Sequence, residues 1–577
     1  MIAGMNVLRI AAALAAPLLA VAAAASDDTS LVLVNGIVHT GVAGTPPAQA
    51  VVSTGGRIAF VGSTQEALER APAGARTIDL AGATVLPGLA DAHAHLTGIG
   101  WRELHFDLTG VPGVAALQER LRERAARDPS AWIVGRGWIE SKWSPAVFPT
   151  RADLDAVVTA RPVMLERADG HAVIVNSRAL QVAGITAATP DPPGGEILRD
   201  PRTGEPTGML VDAAVDLVQQ HVPAPTAADL RRALEAGAER SLRLGWTQLQ
   251  VAGMTWEEID ELCRLYAEGR VKLRVYAAVG GPGPDAERLL AAGRGYESCD
   301  PRLTVRSIKL YMDGALGSRG AALLEPYSDS PGSRGLLRNP PEEILRITIA
   351  GLRSGIQVQT HAIGDRGNRI VLDQYERALA AVPVARRAVA DPRLRIEHLQ
   401  VIDDADIPRL SSLGVIASMQ TSHAISDLLF APARLGPQRI GRAYAWRKVL
   451  DAGAVLAGGS DAPVEQGDPR IEFYAAVARR TLEGFAGPDW GLGQRLTREE
   501  ALAALTRGPA YAAFEEDLRG TIEPGKRADY SVFSADLMAV PEDAILQARA
   551  VMTVIGGEVA WSDPSSTRPS AGALPRP

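Results

Sequence analysis

Eight short apolar segments, separated by stretches with helical periodicity, limit most strongly how this chain can fold. They lie near residues 84–92, 246–251, 273–279, 304–312, 356–361, 394–399, 414–420 and 453–461. Apolar segments of this length that alternate with helices are typical of buried parallel strands. Eight of them are the number needed to close a (β/α)8 barrel. The sequence therefore predicts an α/β protein built on a TIM barrel over residues 85–514.

The region after the first predicted barrel strand is too long for a single crossover connection. Residues 100–240 contain strand-like runs of their own, at 132–134 and 162–165. We therefore expect an inserted subdomain between barrel strands 1 and 2. With 46% hydrophobic residues in 577, the chain can bury a core of this size.

Both ends of the chain carry β-type patterns. The strand-like runs cover residues 31–39, 50–62, 528–533 and 551–561. The first contains an Asn-Gly pair, which is typical of a tight hairpin turn. These patterns predict one small β-sandwich formed jointly by residues 30–84 and 515–562. The Ser-, Pro- and Arg-containing residues 563–577 are expected to be disordered.

The first 25 residues have the pattern of a secretory signal peptide. Arg9 precedes an apolar, alanine-rich run that ends before Ser26. The alternative is a membrane anchor, because the alanines obscure the cleavage point. We expect an exported protein, periplasmic or secreted, without stable membrane association after cleavage. The two cysteines, Cys263 and Cys299, are expected to be isolated thiols.

The charge balance bears on the partners of the protein. A net charge of −7 is small for this length and argues against a nucleic-acid surface. The expected partner is a small-molecule substrate, and a homodimer is compatible with the sequence.

Histidines and carboxylates follow the predicted barrel strands. His93 and His95 stand two residues apart after an apolar strand, so they point to the same side of the backbone. Neutral imidazoles held in this way suit zinc and neighbouring metals. Three more such residues end strands 5, 6 and 8, namely His361, His398 and Asp461. Because catalytic residues of these barrels lie at the carboxyl ends of the strands, the pattern predicts a metallohydrolase site.

The fourth barrel strand alternates polar and apolar residues. Lys309, Tyr311 and Asp313 are therefore predicted to face the barrel lumen together. A lysine inside a barrel is rarely left unpaired, and pairing with Asp313 is one way to satisfy it.

Several motifs resemble one known family. They are PGLADAHAHL, the lysine of SIKLYMDGALGSR, THAIGDRG, RIEHLQ, GGSDAPV, GGEILRDPRTGEPTGML and GTIEPGKRADYSVF. In this order they resemble the amidohydrolase superfamily, in particular amidohydrolase family 3, the YtcJ-type proteins that include N-substituted formamide deformylases. The likeness extends over about residues 30–562.

The resemblance implies a site with one or two divalent metal ions, zinc foremost. His93 and His95 would bind one ion, and His361 and His398 the second. Asp461 would contact the first ion and transfer protons. Lys309 would be carbamylated, so that its carboxylate bridges both ions. A metal-activated hydroxide would then attack the carbonyl of an amide-type C–N bond, because the ion lowers the pKa of its bound water to about 7.

Each of these roles has a structural alternative. His93 and His95 could be a hydrogen-bonded pair at a strand end, and His361 and His398 could singly be structural. Asp461 could cap the following helix. Lys309 could stay unmodified and pair with Asp313, which would leave a mononuclear site.

Residues outside the metal set are candidates for binding the substrate. They are His171, Trp138, Tyr311, Asp313, Ser318 and Arg319. The family parallel suggests that His171 lines the pocket, although a surface position is the alternative. Trp138 either lines the same pocket or packs the insertion together with Trp143. Ser318 and Arg319 follow strand 4 in a loop suited to gripping a carboxylate or carbonyl.

The other four histidines of the sequence are expected to have structural roles only. They are His39, His105, His221 and His423.

The leading hypothesis is a metal-dependent hydrolase of amide, formamide or cyclic-amide bonds. An ester, lactone or carbamate substrate remains open, since attack on each carbonyl uses the same groups. A serine hydrolase would need Gly-x-Ser-x-Gly after a strand. The runs around Ser318 and Ser333 lack the first glycine. A non-catalytic exported binding protein is a third alternative, which the complete ligand set disfavours.

Overall fold

The structure, a computed structural model, describes residues 30–140, 143–167, 172–193, 195–487 and 490–565. Its centre is a sheet of eight parallel strands that neighbour one another in sequence order. Barrel strands 1 to 8 are Leu89–Ala94, Trp246–Met254, Arg274–Gly280, Leu303–Tyr311, Gln357–Ala362, Arg395–His398, Ile416–Gln420 and Leu456–Gly459. The Asp461 N–H donates to the His93 carbonyl at 2.7 Å, which joins strand 8 to strand 1. The predicted (β/α)8 barrel is confirmed.

The first predicted strand is in fact two. Thr84–Pro87 belongs to another sheet, where it pairs antiparallel with Tyr530–Phe533. Gly88 separates it from barrel strand 1, and a Cβ at this position would lie 2.6 Å from Oγ1 of Thr247. The apolar pattern continues across this junction because both halves are buried, so the pattern alone does not reveal the break.

Helices alternate with the barrel strands and surround them. They are Ala227–Leu244, Trp256–Ala267, Pro284–Ala292, Pro341–Ser354, Asp365–Ala381, Ile407–Leu413, His423–Ser426, Ala431–Leu435, Trp446–Asp451, Pro469–Ala478, Arg498–Ala504 and Arg507–Ala512. Capping boxes begin several of them. For example, the Thr255 side chain accepts from the Glu258 N–H while the Glu258 carboxylate accepts from the Thr255 N–H.

A six-stranded sheet lies in the chain between barrel strands 1 and 2. Its strands, in spatial order, are Gly195–Arg199, Pro206–Asp212, Ala172–Val175, Val163–Arg167, Ile133–Trp138 and Phe106–Asp107. Its helices are Val114–Arg127, Arg151–Asp155, Ser177–Ala183 and Asp216–Gln219. Leu96–Leu104 leads into this region and packs on Ala227–Leu244, which returns from it. The two helices approach closely at Gly100, where a Cβ would lie 1.7 Å from the Ala233 carbonyl oxygen.

The two chain ends form a pair of smaller sheets. One contains Arg57–Gly62, Ala50–Thr54, Leu31–Val34 and Arg76–Asp79; the other contains Ile37–Val38, Thr84–Pro87, Tyr530–Phe533, Ala550–Ile555 and Glu558–Ser562. Two short helices, Thr64–Glu69 and Glu542–Ile545, accompany them. Residues of both sheets share one apolar core, in which Leu33 and Val532 are fully buried. The Ser53 and Tyr530 hydroxyls lie 2.8 Å apart across it.

Cys263 and Cys299 form a disulfide, with Cα atoms 5.9 Å apart. The expectation of two isolated thiols is therefore wrong. Cys263 lies on the helix that leads to barrel strand 3, and Cys299 lies in the loop that leads to strand 4. Because these strands are neighbours, two residues 36 positions apart in the sequence meet.

Three expectations fall outside the described residues. They concern the signal peptide at 1–25, His171, and residues 566–577 of the C-terminal tail. Within the described ranges, every helix is too short or too polar to cross a membrane.

Candidate metal centre

Polar side chains from the carboxyl ends of barrel strands converge on one cavity of about 390 Å³. Its polar lining consists of His93, His95, Lys309, Tyr311, His361, His398, Gln400, His423, Asp427, Asp461 and Glu465. All six residues predicted to form the metal site are among them. This is the end of the barrel at which such folds carry their catalytic groups.

His93 is fully buried and held in one tautomer. Its Nδ1 lies 2.5 Å from Oε2 of Glu397, and Arg395 binds the same carboxylate at 2.7 Å. The positive charge of Arg395 keeps Glu397 ionised, so the carboxylate accepts a hydrogen bond from Nδ1–H, and Nε2 carries no proton on the side of the cavity. Burial, followed by the charge of Lys309, lowers the pKa of His93 to about 4. The ring is therefore a neutral imidazole, the form that binds metals.

Asp461 lies between the two histidines of strand 1. Its Oδ1 is 3.1 Å from Nε2 of His95 and 3.5 Å from Nε2 of His93. Burial raises the pKa of Asp461, but the hydrogen bond from His95 opposes burial, and the pKa lies well below its usual value. The three side chains can each offer a ligand atom, all within 4.8 Å of one another.

His361 and His398 stand next to this group, with ring centroids 4.4 Å apart. The His398 Nδ1 lies 2.8 Å from Oε1 of Gln420, an acceptor, so its Nε2 is left without a proton. Burial lowers the pKa of His361 to about 3 and that of His398 well below its usual value. Nε2 of His361 is buried without a hydrogen-bond partner, 3.6 Å from Oδ1 of Asp313.

Lys309 is buried beside His93, with Nζ 3.2 Å from Nε2 of that ring. Burial lowers the pKa of the lysine to about 8. Asp313 is engaged elsewhere, because its carboxylate accepts the N–H groups of Ala322, Ile363 and Gly364 at 2.8–2.9 Å. The alternative of a Lys309–Asp313 pair is therefore not what the structure contains.

The candidate substrate contacts divide into two groups. Tyr311 lines the cavity, with its ring 5.6 Å from that of His361. Asp313 instead fixes the backbone around residues 322 and 363–364, as described above.

Three further candidates also lie elsewhere. Arg319 pairs with Asp329 at 2.9 Å, and the Ser318 hydroxyl faces its own turn at Ala315. The residues of this loop that line the cavity are Ala315, Leu316 and Gly317. Trp138 is fully buried in the core of the insertion and donates to the Leu165 carbonyl at 2.8 Å. Of the two roles considered for Trp138, this position fits packing inside the insertion and not lining of the pocket.

Sequence reasoning missed Gln400, Asp427 and Glu465 of the cavity lining, as well as two residues that bear directly on the proposed ligands. Glu397, which orients His93, is a carboxylate inside an apolar strand. His423, expected to be structural, lines the cavity, and its Nε2 lies 3.7 Å from Oδ2 of Asp461. His423 lies three residues after barrel strand 7, so applying the strand-end criterion to that strand would have identified it.

The donor set fits a divalent metal. His93, His95 and Asp461 form one group with ligand spacing, and His398, His423 and Asp461 form a second. Neutral imidazoles and an ionised carboxylate are the ligands that zinc prefers. The buried, unpartnered Nε2 of His361 also needs a partner that the described protein atoms do not supply. The arrangement can therefore hold one or two cations.

Comparison with known proteins agrees with this geometry. The sequence model of the amidohydrolase family matches residues 76–560. The chain is 33% identical over 494 residues to the protein YtcJ of Bacillus subtilis, whose name assigns it to the amidohydrolases. The match covers 84% of this chain and 90% of that protein. It is 31% identical over 542 residues to an N-substituted formamide deformylase of Arthrobacter pascens, covering 91% and 97% of the two chains.

A solved structure is similar over the same region. It is an uncharacterized metal-dependent hydrolase from Pyrococcus furiosus, 29% identical, with a TM-score of 0.70. The match covers 88% of this chain and all of that one.

Proposed function

Because this chain belongs to the amidohydrolase family, we propose that it is a metal-dependent hydrolase that cleaves the C–N bond of an amide, formamide or cyclic amide. One observation carries this proposal: neutral His93, neutral His398 and ionised Asp461 meet in a single cavity at the barrel mouth. Such a set has little use in a packed core, where buried polar atoms are normally hydrogen-bonded to one another.

We assign the metal ligands residue by residue. His93, His95 and Asp461 would hold a first divalent ion, and His361 and His398 a second, with zinc the preferred metal. A bound ion would lower the pKa of a coordinated water and polarise the scissile carbonyl. Glu397 and Gln420 orient the rings of His93 and His398, and such orienting partners raise metal affinity by about 10–100-fold.

Asp461 would accept a proton from the attacking water and then donate it to the leaving nitrogen. Its carboxylate is ionised and can accept that proton while the oxygen bonds to the carbonyl carbon. The same proton then goes to the nitrogen as the C–N bond breaks, so the products are a carboxylic acid and an amine. Tyr311 lies on the cavity wall, where it can contact the substrate.

Lys309 would carry a carbamate. Its buried, neutral amine can add to carbon dioxide with loss of one proton, which gives an anionic, bidentate ligand next to His93. Its burial and its lowered pKa both favour the free amine that this addition needs. Anomalous diffraction data from crystals grown with zinc and bicarbonate would test the assignment, and an unmodified lysine beside a single ion would contradict it.

The preference for a C–N bond is supported by the relative from Arthrobacter pascens, whose name states an N-substituted formamide as substrate. Esters and lactones present a carbonyl to the same groups, so their hydrolysis is the alternative activity of this site.

The experiment that tests the proposal is a substrate screen with controlled metal content. The purified protein is stripped with a chelator and reloaded with zinc, then assayed on N-formyl amines, N-acyl amines, cyclic amides and their matched esters and lactones. We expect hydrolysis of an amide-type substrate that is lost on stripping and restored by the metal. Activity that survives complete removal of metal would contradict a metal-dependent hydrolase. Turnover of the esters alone would correct the bond class.

A further inference from the structure

His423 begins a short helix, His423–Ser426, that follows barrel strand 7. Its ring lines the cavity and is only 5% exposed. Nε2 of this ring is buried without a hydrogen-bond partner and faces Oδ2 of Asp461 at 3.7 Å, beyond hydrogen-bond distance. The roles assigned above leave this group unused.

The hydrogen bonds behind the ring determine which nitrogen carries the proton. The Tyr444 hydroxyl and Nε2 of Gln400 both approach Oδ2 of Asp427, the latter at 3.4 Å. Because a carboxylate accepts hydrogen bonds, the amide of Gln400 must turn its NH2 group toward it.

The same NH2 group lies 2.9 Å from Nδ1 of His423. An amide NH2 only donates, so Nδ1 must accept. A neutral imidazole that accepts at Nδ1 carries its proton on Nε2. His423 is thus held with an N–H bond directed into the cavity.

This tautomer decides between two uses of the residue. By spacing alone His398, His423 and Asp461 could surround a metal ion. At His95 the hydrogen bonds of the described residues involve only Nε2, so its proton can move to Nδ1 and free Nε2 for an ion. At His423 the donor at Nδ1 prevents that change. Its Nε2 therefore keeps the proton and has no lone pair to offer, so His423 is a hydrogen-bond donor and not a ligand.

The backbone around His423 is fixed from the other side. Oε2 of Glu472 accepts from the Thr421 hydroxyl and from the Ser422 N–H, each at 2.9 Å. The imidazole is therefore held at both its backbone and its Nδ1 before any substrate binds. A donor that is preorganised in this way costs no rearrangement when charge develops next to it.

We propose that His423 is a catalytic residue whose Nε2–H donates a hydrogen bond to the oxyanion that forms on the scissile carbonyl. The proposal rests on the hydrolysis proposed above, since only attack on a carbonyl creates this charge. Gln400 is a positioning residue, because it acts through the tautomer of His423. The neighbouring Asp461 holds the proton while His423 stabilises the oxygen, so the two side chains serve different atoms of the same substrate.

The first test measures the tautomer and needs no substrate. The zinc-loaded protein, labelled with ¹⁵N at histidine, gives long-range ¹H–¹⁵N correlations that distinguish the two tautomers, and the signals of His423 are identified by their loss in His423→Phe. We expect the proton on Nε2 in the wild type and a mixture of tautomers in Gln400→Met. A proton on Nδ1 would overturn the proposal.

The second test measures metal content and turnover. On a substrate found in the amide screen, His423→Phe should lower kcat about 10²–10³-fold, the usual cost of one oxyanion donor, with KM within about threefold. His423→Gln, which retains an N–H donor, should recover part of that loss. Both variants should bind as much zinc as the wild type.

The outcomes distinguish a failure of the His423 proposal from a failure of the proposed hydrolase function. Loss of zinc in His423→Phe would make the residue a ligand and overturn the donor role, and so would wild-type turnover in that variant. A wild-type protein that hydrolyses nothing in the screen would contradict the proposed function itself, and with it the oxyanion that His423 would stabilise. If His423→Phe does not fold, Gln400→Met gives the same readouts with the imidazole retained, and unchanged turnover there with a mixed tautomer would overturn the proposal.

Discussion

Around Asp529, at the base of the barrel, buried charges pair with one another, whereas at the mouth two buried imidazole nitrogens have no protein partner. At the base, Arg274 begins strand 3, and its Nε and Nη2 donate to the two oxygens of Asp529 at 2.8 and 3.0 Å. The Gly556 N–H donates to the same carboxylate at 2.8 Å. The charges compensate each other and connect the barrel to the sheets formed by the chain ends.

At the mouth, some buried polar side chains have hydrogen-bonding atoms without a partner in the protein. Nε2 of His361 and Nε2 of His423 are buried without partners. His398 and Asp461 have φ values of 77° and 60°, a left-handed conformation that costs a non-glycine residue about 1–3 kcal/mol. The comparison indicates that the paired charges at the base contribute to folding stability. The unpartnered groups at the mouth are instead available to bind a metal ion or a substrate.

The largest effect is expected when a ligand at the mouth is removed. His93→Asn should lose bound metal and lower kcat by about 10⁴-fold or more, because the ion that activates water is no longer held. The stability of the metal-free protein should change little, because the amide of asparagine can still donate to the Glu397 carboxylate, which also keeps its pair with Arg395. Metal analysis, turnover and thermal unfolding of the stripped protein measure the three quantities. His221→Asn, at an exposed histidine outside the site, is the matched control, and full metal content in His93→Asn would contradict the assignment.

The opposite result is expected at the base. Arg274→Ala leaves the Asp529 carboxylate buried without its partner, which should lower the free energy of unfolding by about 3–5 kcal/mol. The specific activity of the folded fraction should remain that of the wild type. Urea unfolding measures the loss. Arg270→Ala removes an exposed ion pair with Glu235, and should have little effect on stability, because exposed ion pairs are screened by water and contribute little. Equal losses in the two variants would remove the distinction between base and surface.

Asp461→Asn sharpens the comparison within the mouth. The amide keeps the shape of the side chain but cannot accept the proton of the attacking water, so kcat should fall at least about 10²-fold. Below neutral pH Asp461 should remain ionised and able to accept this proton, because its hydrogen bond from His95 helps to hold its pKa well below the usual value. Steady-state kinetics with metal analysis check the change, and near-normal turnover would place the proton acceptor elsewhere.

The sequence predicted the barrel well because its signals are local. Each buried strand is a short apolar segment, and His361 and His398 end or nearly end two of them. The carboxyl ends of neighbouring parallel strands meet at one end of a barrel. Residues that follow those strands can therefore be expected, from the amino-acid sequence alone, to share a site.

The features that the sequence did not reveal depend on contacts between distant segments. Cys263 and Cys299 meet only because two neighbouring strands bring their preceding segments together. Trp138 has the residue type of a pocket wall, but the insertion closes over it. The direction of His423 depends on Gln400 and Glu472, which lie before and after it in the chain. None of these contacts has a local pattern in the sequence.

Glu472 allows a test of the smallest expected effect, the pH dependence of stability. It is a buried carboxyl group at the mouth that is not a proposed ligand. Burial raises its pKa to about 8, although its hydrogen bonds with Ser422 lower it in part. A group whose pKa is raised by folding contributes its full stabilisation below the unfolded pKa, near 4.5, and loses it as the pH rises toward 8. Glu472 therefore destabilises the native protein increasingly between about pH 4.5 and 8.

Glu472→Gln should remove this dependence, because its amide does not ionise and its oxygen can still accept from Thr421 and Ser422. Relative to the wild type, the melting temperature of the variant should rise from pH 5 to pH 9, by an amount smaller than any effect above. Glu499→Gln, at an exposed glutamate, is the control and should show no such trend. A difference in melting temperature that stays constant over this range would mean that Glu472 is ionised throughout, and the mouth would then hold a second uncompensated carboxylate next to the loop that carries His423.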